Sequence, residues 1–241
     1  MISDSDARDI SKRYARYESH ESSSSSLGGV FIGCDLGRAD DFSAVVAIEK
    51  IGQSVLAGGA TSAPWATLGG LRSGRAEPLD HPIKLRVRQI ERLPAGTPRL
   101  TIISRVRALT PKHSTGTHRF VPRYLIVDAT GVGLSAIDAF RAAHLFPMPV
   151  VIGGDEVWYG DGFYRVPKRE LARSVKMLFE KHWLDASEEL ALWDLLKDEL
   201  RDFGASVSIG PVRESENSWR AGEHDDLVLA AALACWYALQ Y

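Results

Sequence analysis

Apolar and polar positions alternate along the chain in patterns that predict a mixed set of strands and helices. Val30, Phe31 and Ile32 form one apolar run and Phe42 to Ile48 a second, β-branched one. The short polar turn Leu36–Asp41, with Gly37, joins them as a hairpin. From Ile83 to Arg92 the pattern alternates, with Lys84, Arg86 and Arg88 on one side and Ile83, Leu85 and Val87 on the other. This predicts a third strand with a basic outer face. Arg123–Val127 reads as a fourth strand ending in Asp128, and Val150–Ile152 as a short fifth.

Helical spacing appears between and after these runs. Thr97 is a candidate N-cap before a first-turn Pro98, and Leu100, Ile103, Val106 and Leu109 make a stripe ending at Pro111. A second helix is expected at about Ser135–Ala143, and a third over Lys168–Leu184 that buries Leu171, Val175 and Leu178. A fourth, Ser187–Phe203, has an N-cap serine and a stop at Gly204. The last opens at Gly222–Asp226 and is apolar almost all round to Leu239, so it should lie buried against the sheet. Lys50–Glu77 and Gly153–Pro167 read as loops. Three strands, helix, strand, helix, strand make a mixed α/β sheet. Residues 1–27, charged and serine-rich, read as a tail or linker, leaving 28–241 as one domain.

Composition narrows the class of protein. At 241 residues, 45% hydrophobic and 25% charged, the chain resembles an ordinary soluble domain. The two cysteines, Cys34 and Cys235, each sit in an apolar run, so no disulfide framework and a reducing cytoplasm are expected. No basic-then-apolar leader opens the chain. The longest apolar run, Leu227–Leu239, falls short of the roughly 20 residues a bilayer requires, so no membrane partner is expected. The net charge of −2 hides an asymmetry: Lys84–Arg123 holds ten basic residues against Glu91 alone, a net of +9, leaving −11 for the remainder. A basic segment in an acidic protein suits a polyanion, or equally a solvated strand edge.

The candidate chemistry is acidic. Asp35 ends the first strand, Asp128 ends the fourth, and Asp225 with Asp226 begins the last helix. In a sheet where the first and fourth strands are neighbours, their ends lie about 5 Å apart, which would bring Asp35 and Asp128 to one ion, with Asp225 reaching a second position from the helix. Crowded carboxylates repel, whereas hard cations such as Mg2+ or Mn2+ accept carboxylates, waters and phosphate oxygens. Two such ions can clamp the attacking and leaving oxygens of a phosphodiester. Taken singly, each acid has an ordinary explanation: Asp225 or Asp226 as a cap, Asp128 as a turn, Asp40 and Asp41 as loop solvation. Arg86, Arg88, Arg169, Arg173 and Lys176 are candidate phosphate contacts on DNA; Arg105 and Arg107 could contact phosphate or simply solvate their helix.

The segments G-C-D-L-G-R-A-D-D-F-S-A-V-V, Y-L-I-V-D-A-T-G-V-G and G-E-H-D-D-L-V-L-A-A-A-L-A, in that order, resemble the ribonuclease H-like nuclease domain of phage terminase large subunits over roughly residues 28–239. That resemblance implies a five-stranded sheet of order 3-2-1-4-5 flanked by helices. It implies that Asp35 bridges two ions, that Asp128 holds one and Asp225 the other, and that Asp226 and Asp41 are further acids near them. It implies an endonuclease that cuts concatemeric double-stranded viral DNA in the host cytoplasm during packaging, with an ATPase motor, a portal and a small terminase subunit as partners. The chain has no G-x-x-x-x-G-K-[ST] loop and so carries no motor of its own. The serine-rich start suggests an excised domain or a nuclease encoded apart from its motor. Other readings are an actin-like ATPase or sugar-kinase lobe, in which Asp35 and the Asp128–Gly133 turn would handle phosphate; a Holliday-junction resolvase of the same fold; and a non-catalytic DNA-binding module.

Overall fold

A computed structural model describes residues 29–37, 40–51, 83–109, 123–131, 134–209 and 225–240. The expected tail, most of the Lys50–Glu77 loop and Gly222–His224 lie outside them. Among the described residues, one eight-stranded sheet has the order β6-β7-β5-β4-β1-β2-β3-β8. The strands are β1 (Val30–Asp35), β2 (Ser43–Ile51), β3 (Lys84–Leu93), β4 (Arg123–Asp128), β5 (Pro147–Ile152), β6 (Trp158–Gly160), β7 (Phe163–Val166) and β8 (Leu184–Ala186). Its five central strands stand in the expected order 3-2-1-4-5, and only β2 and β6 run against the rest.

The expectation of five strands is therefore corrected to eight. β6 and β7 form a hairpin inside what the sequence suggested was a loop, its turn made by Asp161 and Gly162 in the left-handed region at φ 53° and 79°. β8 begins at Leu184, the residue expected to end a helix; that helix stops at Glu180, and Leu85 N–H then bonds to the Trp183 carbonyl at 2.7 Å.

Helices cover both faces of the sheet. α1 (Arg99–Ala108) and α2 (Leu134–Ala142) pack on one face, over Val30, Ile32, Cys34, Val45, Ala47 and Val127. The other face, with Phe31, Ala44, Val46, Ile48 and Ile126, carries α3 (Lys168–Glu180), α4 (Trp193–Ile209) and α5 (Asp226–Ala238). Two helix starts differ from expectation. Pro98, not Thr97, is the N-cap of α1; Thr97 Oγ1 instead closes a turn on the Pro94 carbonyl at 2.6 Å, and Leu100 is 76% exposed while Ile102 is buried. α4 begins at Trp193, Ser187 capping a separate turn at Glu189 N–H, and it runs past Gly204. α5 is as expected: every residue after Asp226 is buried.

One irregularity decides where β3 aims its side chains. The β2–β3 register shifts between Ala47 and Ile48, which pair with Gln89 and Val87, so Arg88 is an extra residue in a β-bulge. Before the bulge the even positions Lys84, Arg86 and Arg88 face the α1–α2 side, opposite buried Leu85 and Val87. After it the parity reverses, and Ile90 and Arg92 face the α5 side while Leu93 packs on the other.

Candidate functional site at the start of the last helix

The site is a single rung of the sheet with a helix end above it. Asp35 pairs with Ala44, and Ala44 with Arg92. On the other side Cys34 pairs with Val127, so the register carried one residue further sets Asp35 beside Asp128, which pairs with Val150. Residues side by side on a rung point to the same face. Phe31, Ala44, Ile126 and Val150 all lie on the α5 face, so Asp128, Asp35 and Arg92 do too.

α5 runs antiparallel to β1 above this rung. Its C-terminal Tyr237 packs against Phe31, with ring centroids 6.3 Å apart, near the start of β1. Ala230 lies on Gly33, where a Cβ would stand 1.8 Å from the Ala230 carbonyl oxygen, so only glycine admits the helix this close. Each step along β1 is thus a step back along α5, and the first turn of α5 comes to rest over the Asp35 rung. An ion pair fixes it there: Arg92 Nη2 lies 2.9 Å from Asp226 Oδ2.

The acids have distinct surroundings. Asp128 is 2% exposed, and its Oδ1 accepts the Thr130 N–H at 2.7 Å, while Thr130 Oγ1 accepts the Ile152 N–H at 2.7 Å. The turn role open to Asp128 is therefore realised, and it orients the carboxylate. Asp35 is partly exposed. Gly37 sits in the turn that follows, its N–H on Ser43 Oγ at 3.0 Å, with Asp40 and Asp41 exposed in the same turn. Asp225 is the N-cap residue of α5, although its side chain makes no capping hydrogen bond. Burial pushes the Cys34 thiol far above its ordinary range, with the charges of Asp35 and Asp128 acting in the same direction, so it stays protonated behind the rung.

Two residues at this site, one on the rung and one above it, escaped the sequence reading. Arg92 lies beyond the bulge, and its guanidinium stacks 4.4 Å above the Phe42 ring. Glu199, on α4, is 6% exposed, and Arg92 Nη1 lies 3.7 Å from its Oε1. Neither oxygen of Glu199 accepts a well-formed hydrogen bond. Burial pushes its carboxyl up to about 7, the Arg92 guanidinium and the Val228 N–H pull it down, and the charges of Asp226 and Asp225 push it up again. The available signal was an acid on an apolar stripe, since Glu199 sits among Trp193, Leu196, Leu200 and Phe203, all buried.

Among the described residues, no three histidine, cysteine or acidic side chains stand close enough to cage an ion. The structure brings Asp35 and Asp128 side by side and the α5 start over their rung, with Asp226 turned to Arg92. The donor set is carboxylate oxygen with a protonated thiol behind it, which fits a hard divalent ion rather than a soft one.

The basic candidates divide between two places. Arg169, at the start of α3, donates to the Asp155 carbonyl beyond the end of β5, at the same sheet edge as Asp35 and Asp128. Arg173 and Lys176 continue the stripe along α3, paired with Glu170 at 3.5 Å and Glu180 at 3.9 Å. Arg86 and Arg88 lie on the opposite face of the sheet, near the level of Val30, where Arg86 pairs with Asp185 at 3.0 Å and Arg88 Nε with Glu49 at 2.6 Å.

No protein-family model and no characterised protein matches the sequence. Three solved structures align with most of its length. The large terminase nuclease from thermophilic phage G20c is 17% identical over 86% of this chain and 81% of that one, with a TM-score of 0.44. The same nuclease with bound magnesium is 18% identical over 86% and 80%, with a TM-score of 0.46. A manganese-soaked human cytomegalovirus terminase nuclease domain is 12% identical over 86% and 82%, with a TM-score of 0.40. No helix among the described residues is long and apolar enough to cross a membrane.

Proposed function

We propose that the chain is a divalent-metal-dependent DNA endonuclease of the terminase type, with its active centre on the Asp35 rung. The observation that carries this reading is the pair of carboxylates, Asp35 and Asp128, side by side on one face where two parallel strands end. Two acids so placed repel each other unless a cation joins them. Asp35 and Asp128 would hold Mg2+ or Mn2+ between the strands, and Asp225 would complete the set from the helix start, with Asp226 and Asp41 as outlying acids. When bound, such ions supply a water nucleophile at neutral pH and neutralise the charge that builds on the scissile phosphate.

The chain's own residues do the rest. Thr130 N–H fixes the rotamer of Asp128, so that carboxylate is oriented before any substrate arrives. Asp40 and Asp41 are exposed in the turn that follows Asp35, and Arg169 stands along the same edge. A duplex laid across that edge would meet Arg169, Arg173 and Lys176 along α3, three cations at helical spacing on successive turns, as sequence-indifferent phosphate contacts. Arg86 and Arg88 would be reached only by DNA that also passes the β8 edge.

The test is incubation of supercoiled plasmid with the polypeptide in Mn2+, with and without chelator. Conversion to open-circular and linear forms that chelator stops is expected; no conversion at any metal concentration would remove the nuclease reading. A parallel arm with four-way junctions separates the terminase-type substrate, linear duplex, from a resolvase.

A further inference from the structure

We infer that Arg92 is a positioning residue that clamps the first turn of α5, by Asp226, and α4, by Glu199, onto the rung that carries Asp35. Three elements distant in sequence meet on this one guanidinium. Nη2 lies 2.9 Å from Asp226 Oδ2 and Nη1 lies 3.7 Å from Glu199 Oε1, while the Phe42 ring below stacks at 4.4 Å. The groups are largely out of water: the side chains of Arg92, Glu199 and Asp226 are 15%, 6% and 18% exposed.

Burial matters because a guanidinium with two carboxylate partners in so dry a place holds its geometry, where a surface pair would not. Helix ends fray, and the first turn of α5 starts at an N-cap, Asp225, whose side chain makes no capping bond. Asp226, one residue on, ties the turn down through Arg92. Leu229 N–H closes the first helical bond on the Asp225 carbonyl at 2.9 Å, so holding Asp226 also holds the backbone of Asp225. Small neighbours allow the clamp: Ala44 separates Asp35 from Arg92 on the rung, and Gly33 lets the helix descend.

The functional side of this inference rests on the metal-site reading above. Arg92 fixes where Asp225 stands relative to Asp35 and Asp128, and so sets how well the third acid is prepared for an ion. A purely electrostatic role predicts the reverse, because removing a cation beside carboxylates strengthens their attraction for Mn2+.

The experiment compares the unsubstituted protein with Arg92→Met and with Arg92→Lys, the milder change that keeps the charge and safeguards folding. Two quantities are read: amide exchange at Val228 and Leu229 without metal, and Mn2+ affinity by calorimetry. In Arg92→Met, exchange at these amides should rise at least tenfold while Ala234–Tyr237 stays protected, and the Mn2+ Kd should rise about tenfold. Arg92→Lys should fall between the two proteins in both. Unchanged exchange overturns the clamp; Mn2+ binding that is unchanged or tighter in Arg92→Met overturns its link to the acids. If the unsubstituted protein binds no Mn2+, the metal reading falls, and amide exchange still decides whether Arg92 holds the helix start.

Discussion

The two ends of α5 are built from opposite materials. Its C-terminal end sits in an aromatic nest: Tyr237 has Tyr124, Tyr164, Phe31 and Trp236 around it, with ring centroids 5.7 to 6.3 Å away. Lys50 Nζ closes that end on the Ala238 carbonyl at 3.3 Å. Its N-terminal end meets Arg92, Glu199, Asp226 and the Asp35 rung, where charge replaces hydrocarbon. One helix therefore anchors in apolar contact at one end and presents acids at the other. Burial of aromatic surface supplies stability that a ring of carboxylates cannot, and the contrast separates the residues that hold the fold from those available for chemistry.

Substitutions at the two ends should separate accordingly. The largest effect is expected from Asp35→Asn, which should abolish plasmid cleavage in Mn2+ while leaving circular dichroism and the metal-free melting temperature near those of the parent. Saturating Mn2+ should stabilise the parent by about 2.7 kcal/mol at a hundredfold excess over Kd, and this gain should shrink in Asp35→Asn. An equal gain in both proteins would place the ion elsewhere. At the other end, Tyr237→Ala should lower unfolding free energy by about 3–5 kcal/mol in urea titrations, while the Mn2+ affinity of the folded fraction stays the same.

The smallest effect concerns pH. Burial raises the Glu199 carboxyl from 4.5 to about 7 in the folded protein, so the folded state holds this proton more tightly than the unfolded one. Its contribution is therefore fully present below about 4.5 and is lost as pH rises to about 7, by on the order of 2–3 kcal/mol. Glu199→Gln should flatten the fall in stability between pH 5 and pH 8; an unchanged slope would show that another group carries it.

Much of this was legible in the residues. Apolar runs and helical stripes placed the five central strands, and the all-apolar Leu227–Leu239 run placed α5 against the sheet. That Asp35 and Asp128 each close a strand was legible, but that those two strands are neighbours came from the family resemblance and not from the local pattern. What failed to show has physical causes. β6, β7 and β8 are three or four residues long, too short for alternation to register. Leu100 joined a stripe by spacing alone; Ile103, Val106 and Leu109 of that stripe turn inward, but Ile102 takes the place expected of Leu100. The partners of the acids were hidden most deeply: Glu199 could be suspected from its place on an apolar stripe, but nothing in the local pattern marks the bulge that sends Arg92 to the other face.

That bulge gives the strand a counting frame. With Arg88 looped out, Arg86 before it and Arg92 after it serve different surfaces, although both occupy even positions. Deleting the single residue Arg88 would restore uninterrupted pairing, with Val87 kept on Ile48, Gln89 on Ala47 and Arg92 on Ala44, so the guanidinium would stay turned to Asp226 and Glu199. The bulge thus absorbs one residue of length at this point of the strand, and the residues on either side keep their partners.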